Sequence, residues 1–185
     1  GDYQDWDELE RPAIRLSDPH RKAGFRIESF SGRRVIFRRL RGPYSKLSSA
    51  GMDVEDIWGP LFEHAEAQGL SYDLEQLIGI CHDDPYVTDE DKIRFDACLA
   101  VDGFSETTDQ IGQRFLPESD CVVRRHFNGF EEIENTFAFI GVEWLPAKGY
   151  LLQTRPPFEV YQCQRIQGQL VRISTDAFVP LQSAQ

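Results

Sequence analysis

The chain repeats itself, and that limits its possible folds more than any single residue does. Ile78 and Phe158 open two strand-like runs, IGICHDD and FEVYQCQ, while RFDACLAV from Arg94 and STDAFVPL from Ser174 share Asp-Ala at their third and fourth positions. Both matches keep one offset, 80 residues. Two separate segments holding one spacing mark a duplicated unit. A third match pairs VIFRRLRGPY, from Val35, with VVRRHFNGF, from Val122: an apolar start, paired arginines, then glycine and an aromatic.

Each half also holds a helix. In the second, Phe130, Ile133, Phe137, Ile140 and Trp144 recur at steps of three and four, which predicts one apolar helical face. In the first, Val54, Ile57, Trp58, Leu61, Phe62 and Ala65 do the same, but Gly59-Pro60 interrupts them. Proline inside a helix removes a hydrogen bond and clashes with the preceding turn, so a kink or restart is expected there. Further strands near 25–30 and 112–116 complete the order β-β-α-β-β, twice. The fold class expected is α+β: two halves related by a pseudo-twofold, their strands joined in one antiparallel sheet with helices on one face and a concave seam on the other.

PPFEVYQ, residues 156–162, sets one glutamate among apolar and aromatic neighbours. Along a strand, Phe158 and Val160 point one way while Glu159 and Tyr161 point the other. The repeat partner of Glu159 is Gly79 and that of Tyr161 is Cys81, so two small residues are expected to face a Glu/Tyr pair and leave room beside it. Glu159 reads three ways: as a solvated residue, as the partner of a buried arginine, or as a ligand contact. A buried carboxylate without a partner costs several kcal/mol or becomes neutral. In an aromatic pocket it favours cationic, planar, apolar ligands. Tyr161 is the first aromatic placed beside it. Tyr44, Trp58, Phe104, Phe130 and Trp144 follow as weaker candidates, because helical aromatics at regular spacing are more often core.

Composition excludes several classes. With 20 Lys plus Arg against 31 Asp plus Glu, the formal charge of −11 repels nucleic acid and anionic lipid. No apolar run is long enough to cross a bilayer and no signal peptide is visible, so the expected location is cytoplasmic. The four cysteines, Cys81, Cys98, Cys121 and Cys163, lack C-x-x-C spacing and read as reduced, buried thiols. His82, Asp83 and Asp84 read as turn-tightening residues and not as metal ligands, and no cofactor is implied. Arg33, Arg34, Arg38, Arg39 and Arg41 are expected to pair with surface acids. No nucleophile motif or phosphate loop is present, so an enzyme built on this chain would use Glu159 as acid or base with Tyr161 orienting or donating. Glycine at position 1 suggests a cleaved tag and an excised domain upstream.

RGPY, IGICHDDP, RFDAC, EWLPAKGY and PPFEVYQ, in that order, resemble the DNA gyrase inhibitory protein-like (GyrI-like) small-molecule binding domain, which also forms the effector-binding half of many AraC-type transcription regulators. The resemblance covers 25–181. It implies duplicated β-α-β-β (SHS2-like) units, repeat 1 over 25–104 and repeat 2 over 111–181, a concave apolar pocket, and a second-half glutamate facing ligand, here Glu159. Residues 1–24 would be a linker or capping extension and 182–185 a tail. Cys81 stands where the family often has an aromatic, Phe95 where it often has tyrosine, and 50–60 looks like an insertion before the first helix. The implied partner is a small molecule, with DNA reached only through a helix-turn-helix domain outside this chain and no membrane contact. The resemblance carries two rival readings: a free-standing hydrolase of strained cyclopropane-type electrophiles, and a topoisomerase-inhibiting partner protein whose acidic surface imitates DNA.

Overall fold

The computed structural model describes residues 24–47, 53–127, 130–152 and 154–183; the proposed 1–24 extension lies, but for Gly24, outside them. Strands β1 (Phe25–Phe30), β2 (Arg33–Arg41), β3 (Tyr72–Cys81) and β4 (Arg94–Val101) make up the first half, with the short helix α1 (Tyr44–Leu47) and the longer α2 (Val54–Ala67) between β2 and β3. The second half repeats the order: β5 (Gly112–Leu116), β6 (Ser119–His126), α3 (Phe130–Phe139), a π-helical turn (Ile140–Trp144), α4 (Leu145–Lys148), a short extra strand β7 (Tyr150–Leu152), then β8 (Phe158–Ile166) and β9 (Gln169–Ser183). A two-residue turn with Gln167 and Gly168 both at positive φ joins β8 to β9, the geometry that matches strand twist in a hairpin.

All but β7 lie on one antiparallel path, β1-β6-β9-β8-β3-β4-β2-β5. Exchanging each strand for its repeat mate returns the same path reversed, so the duplicated sequence folds about a pseudo-twofold axis. The axis can be placed to the residue. β3 and β8 pair with Gly79 opposite Glu159, and these two are also repeat mates, so the axis runs through that pair. The halves also exchange their first strands: β1 pairs with β6 of the second half, and β5 with β2 of the first.

This exchange curls the sheet. β1 lies at one edge and β2 beside the other, yet only Ser31 and Gly32 connect them, and Pro117 and Glu118 make the equivalent link from β5 to β6. Such links span about 11 Å at most, which draws the two edges together. Where the links meet there is no space for a side chain: a Cβ on Gly32 would lie 2.8 Å from the Phe115 ring and 3.2 Å from the Glu118 amide. Inside the curl pack Phe30, Val35, Ile78, Ile80, Cys98, Cys121, Val123, Phe158, Val160 and Phe178. The helices cover the outer face. Trp58, Leu61 and Ala65 of α2 meet Leu77, Phe95 and Leu99, and Ile140 and Leu145 meet Val122, Val179 and Leu181.

The helix expectations are corrected in one half and met in the other. α2 begins at Val54, where the Asp53 carboxylate accepts from the Glu55 amide at 3.0 Å, so 54–60 of the 50–60 stretch lie within the helix and not before it, while 50–52 fall outside the described residues. It neither stops nor restarts at Pro60. The Asp56 carbonyl, which has no proline N–H to receive, accepts instead from the Arg38 guanidinium at 3.4 Å, and the Ile57 carbonyl accepts from the same group at 3.1 Å. In the second half the expected apolar face runs through α3 and the π turn, with Ile133 and Ile140 fully buried, until Gly149 ends α4 in the left-handed conformation at φ 74°.

The repeated Arg-Arg and Asp-Ala dipeptides meet each other across strands. Arg39 Nε and Nη2 reach the Asp96 carboxylate at 2.8 and 3.0 Å, and Arg125 reaches Asp176 with the same two distances. The exchanged strands add a third partner to each: Arg114 of β5 meets Asp96 at 2.7 Å, and Arg26 of β1 meets Asp176 at 3.4 Å. His82 Nε2 also lies 2.6 Å from Asp96. Of the arginines expected to pair with surface acids, only Arg39 has a carboxylate among its described partners, and that carboxylate is buried. Arg33 contacts Gln76 and the Phe30 ring, Arg34 covers the Phe104 ring, and Arg41 meets the Lys92 carbonyl. Rings and neutral oxygens are what these side chains reach. All four cysteines are free and buried, as expected.

Burial pushes the Asp96 carboxyl upward, but His82, Arg39 and Arg114 outweigh it and hold the group well below the ordinary carboxylate range. A depressed folded value contributes stability that is complete above the unfolded value of about 4 and is lost as pH falls below it. Asp96→Asn should therefore cost about 3 kcal/mol at pH 7, near the lower end for a broken buried pair because Arg39 and Arg114 can turn toward water. Urea unfolding at pH 7 and pH 3 checks this. The deficit of the variant against the native chain should shrink at pH 3, and an equal deficit at both would contradict the ionic account.

Candidate functional site

Directly opposed residues on neighbouring strands share a face, so the registers define the row that contains Glu159. Across the outer face it reads Arg38, Ala97, Gly79, Glu159, Ala177, Arg124. The alanines are those of the two Asp-Ala repeats. Three residues with small or absent side chains thus flank the carboxylate, and an arginine closes each end. Arg38 is engaged by α2, and Arg124 by Thr136 of α3 at 3.2 Å.

Glu159 is 1% exposed. The Tyr161 hydroxyl, two residues along the same strand, donates to its Oε2. Rings enclose the pair: Trp58 of α2 stands edge-on to Tyr161 with centroids 5.1 Å apart, and Phe95 of β4 lies 6.2 Å from Trp58 and 6.4 Å from Tyr44. Trp58 is fixed by its indole N–H, which donates to the Cys98 carbonyl at 3.0 Å. Tyr44 is fixed through a hydroxyl that donates to the Asp83 carbonyl at 2.7 Å and accepts from the Asp83 amide at 3.0 Å. Asp83 in turn binds Arg94. His82 and Asp83 of the HDDP turn thus serve the structure, one on Asp96 and the other on Tyr44 and Arg94.

Burial raises the Glu159 carboxyl to about 7, against the opposing pull of the Tyr161 hydroxyl and of Arg172. Burial also pushes the Tyr161 hydroxyl and the Cys81 thiol up, with the Glu159 charge adding to both. The site therefore holds one titratable group active near neutrality and weakly acidic neighbours around it. Chemically it can receive a cation, or exchange a proton at Glu159.

Three expectations are corrected. Gly79 leaves no room: a Cβ there would fall 2.4 Å from the Phe95 ring and 2.9 Å from the Tyr161 hydroxyl, which already fill the space. Cys81 stands beside Pro157, to whose carbonyl its amide donates at 3.1 Å, and Leu77 is the residue opposite Tyr161. The concave side of the sheet has clefts of 340 and 260 Å³, but Phe158 and Val160 line them; strand alternation turns Glu159 and Tyr161 to the helix-covered face, where Trp58 packs on them.

Of the other candidates, Tyr44 and Trp58 join Glu159 and Tyr161. Phe104 does not: it follows β4 in a surface segment, is 77% exposed, and lies under the Arg34 guanidinium at 3.6 Å. Trp144 belongs to the second-half core, stacked on Tyr150 at 5.8 Å. The Phe130 side chain lies outside the described residues. Phe95, noted in the sequence as standing where the family often has tyrosine but not named among the site candidates, is a further wall of the site. Its place immediately before the Asp-Ala dipeptide was the available signal, since Asp96 faces inward and its neighbour must face the helices.

A sequence profile of the GyrI-like small molecule binding domain matches residues 24–167. The probable transcriptional regulator YgiV of Escherichia coli (strain K12) is 30% identical over 115 residues, 61% of this chain and 72% of YgiV. Among solved structures, the EcmrR C-terminal domain superposes with a TM-score of 0.65 at 19% identity, over 86% of this chain and 98% of that one. EcmrR in its complex with DNA gives 0.68 at 17% identity over 86% of this chain, which spans 57% of that longer one. The profile match takes in the first half and the second as far as the end of β8, and so includes Glu159: the chain belongs to the family of GyrI-like small molecule binding domains.

Proposed function

We propose that the chain is the effector-binding domain of an AraC-type transcription regulator and that it takes an apolar, cationic aromatic compound at Glu159. One observation carries this reading. A carboxylate sits 1% exposed on the pseudo-twofold axis, flanked by glycine and alanine, walled by Tyr44, Trp58, Phe95 and Tyr161, and raised to about 7 by burial, which outweighs the opposing pull of the Tyr161 hydroxyl and of Arg172. A cation among those rings would supply the missing countercharge and gain from their faces. The site is closed, so entry requires part of the wall to move. Tyr44, on the four-residue α1, is the wall residue with the least secondary structure behind it. The match to a probable transcriptional regulator and the fold shared with EcmrR support the regulatory setting. With a charge of −11, contact with DNA falls to a domain outside this chain.

The Glu159–Tyr161 pair also favours a second reading, a hydrolase that opens strained cyclopropane-type electrophiles. A carboxyl near 7 can give or take a proton at physiological pH, with Tyr161 orienting it. Turnover separates the two: multiple equivalents of product, lost in Glu159→Gln, support the hydrolase.

Titration with rhodamine 6G, a permanent cation, tests the leading reading. Saturable binding should weaken at least about tenfold in Glu159→Gln, which keeps the shape and removes the charge. Equal binding in both proteins, or none in either, overturns it. Binding to the native chain should also weaken as pH falls from 8 to 6, because the carboxyl is protonated through its value of about 7, while the variant stays level.

Stability supplies an independent check. The folded value is raised above the unfolded one of about 4.3, so folding takes up a proton between the two. The native chain therefore loses stability as pH rises through that window, in total roughly 3 kcal/mol. Glu159→Gln should melt above the native chain at pH 8 and level with it near pH 4. A variant less stable at pH 8 would show that the carboxylate supports the fold instead of burdening it.

A further inference from the structure

We infer a second ligand site, on the inner face of the curled sheet, for a small apolar anion of the aryl or branched-chain carboxylate class. The 260 Å³ cleft at the pinched end of the curl has Phe30, Ile80, Leu116 and Phe158 as its apolar lining, with Arg114, Arg155 and His82 among them. Its walls are stiff. Pro117 and Pro156 fix the backbone on two sides, and Arg155 ties one wall to the other by donating to the carbonyls of Pro117 at 2.9 Å and Glu118 at 3.2 Å.

The charge around this cleft opposes that of the chain. Arg39, Arg114 and His82 share one carboxylate, Asp96, while both described partners of Arg155 are neutral carbonyls. The neighbouring Asp83 is already engaged by Arg94. Three arginines against Asp96 and the exposed Glu118 leave a local excess of about one positive charge beside an apolar floor, in a protein of net −11. Arg114 also has a donor to spare: its Nε is buried without a partner among the described residues. An apolar body with one carboxylate fits both features, since the rings and aliphatic groups take the body and the arginines take the charge.

The adjoining 340 Å³ cleft, across the Phe30 ring, does not share this character. Of its arginines, Arg26 and Arg125 are bound to Glu28 and Asp176 and Arg33 to the Gln76 side chain, and its lining is largely polar. The 260 Å³ site is also separate from Glu159. Phe158 faces it from one side of β8 and Glu159 points to the other side, so the inference stands or falls apart from the reading of the glutamate.

The test is calorimetric titration of the whole chain with 2-naphthoate beside its uncharged analogue 2-naphthamide. Saturable binding of naphthoate is expected, with the amide about tenfold weaker or worse, and with a loss of about tenfold in Arg155→Gln. Among the described residues Arg155 donates to two exposed carbonyls, so the variant should melt with the native chain, and a melting curve verifies this. Glu159→Gln should leave naphthoate binding unchanged. Absence of saturable binding, equal affinity for acid and amide, an unaltered affinity in Arg155→Gln, or a loss in Glu159→Gln would each overturn the assignment.

Discussion

The two bidentate bridges, Arg39 to Asp96 and Arg125 to Asp176, govern the rest of this structure. Each joins adjacent strands of one half at a directly opposed pair. Each also recruits an arginine from a strand that the other half has lent, Arg114 from β5 and Arg26 from β1. A one-residue slip would turn a buried aspartate to the helix-covered face and leave its arginines without it, so these pairs fix register more strictly than apolar packing would. With both halves in register, the next residue after each aspartate, Ala97 or Ala177, must face the helices beside the axis. The small-walled row around Glu159 follows from that placement.

Symmetry explains why only one carboxylate is there. Gly79 and Glu159 are repeat mates and lie opposite each other on the axis. A glutamate at both positions would set two buried like charges side by side, and one would have to stay protonated. Glycine removes that conflict, and the space it frees is taken by the Phe95 ring and the Tyr161 hydroxyl. A duplicated frame thus produces a site with a single charged pole.

What could be read from the sequence was whatever depends on neighbours along the chain or on the repeat. The strand alternation of PPFEVYQ, the apolar face from Phe130 to Trp144 and the offset of 80 residues are of this kind, and together they led to Glu159, Tyr161 and a two-part sheet. The features that escaped depend on contacts between distant segments. Pro60 sits inside a continuous helix because Arg38, from another strand, serves the carbonyl that proline cannot. The exchange of β1 and β5 leaves no trace in periodicity, and without it neither the curl nor the partners of Asp96 and Asp176 can be foreseen. Phe104 resembled a pocket aromatic in its composition, but its fate was settled by the surface turn after β4 and by Arg34. The face on which Glu159 lies was equally hidden, since alternation separates it from Phe158 without saying which side the helices take.

The energetics of the glutamate bound what the proposed effector could accomplish. Raising a carboxyl from an ordinary value to about 7 corresponds to roughly 3 kcal/mol held against its ionised form. A cation that occupies the site can recover up to that amount, and a ligand shifts a conformational equilibrium only by its differential affinity for the two states. About 3 kcal/mol changes such an equilibrium by a factor of about 150, enough to turn a minor state into the major one where the two differ modestly at the start. Entry of the proposed ligand requires two states. In one, the closed arrangement, Trp58, Phe95 and Tyr44 enclose the carboxyl; in the other, they would part around its ionised form and a counterion. Because α1 joins β2 to α2 and Tyr44 anchors the HDDP turn through Asp83, movement of that wall would reach the Asp96 cluster through His82, on the same turn. The residues that settle the register of the sheet are therefore also those that would feel the ligand.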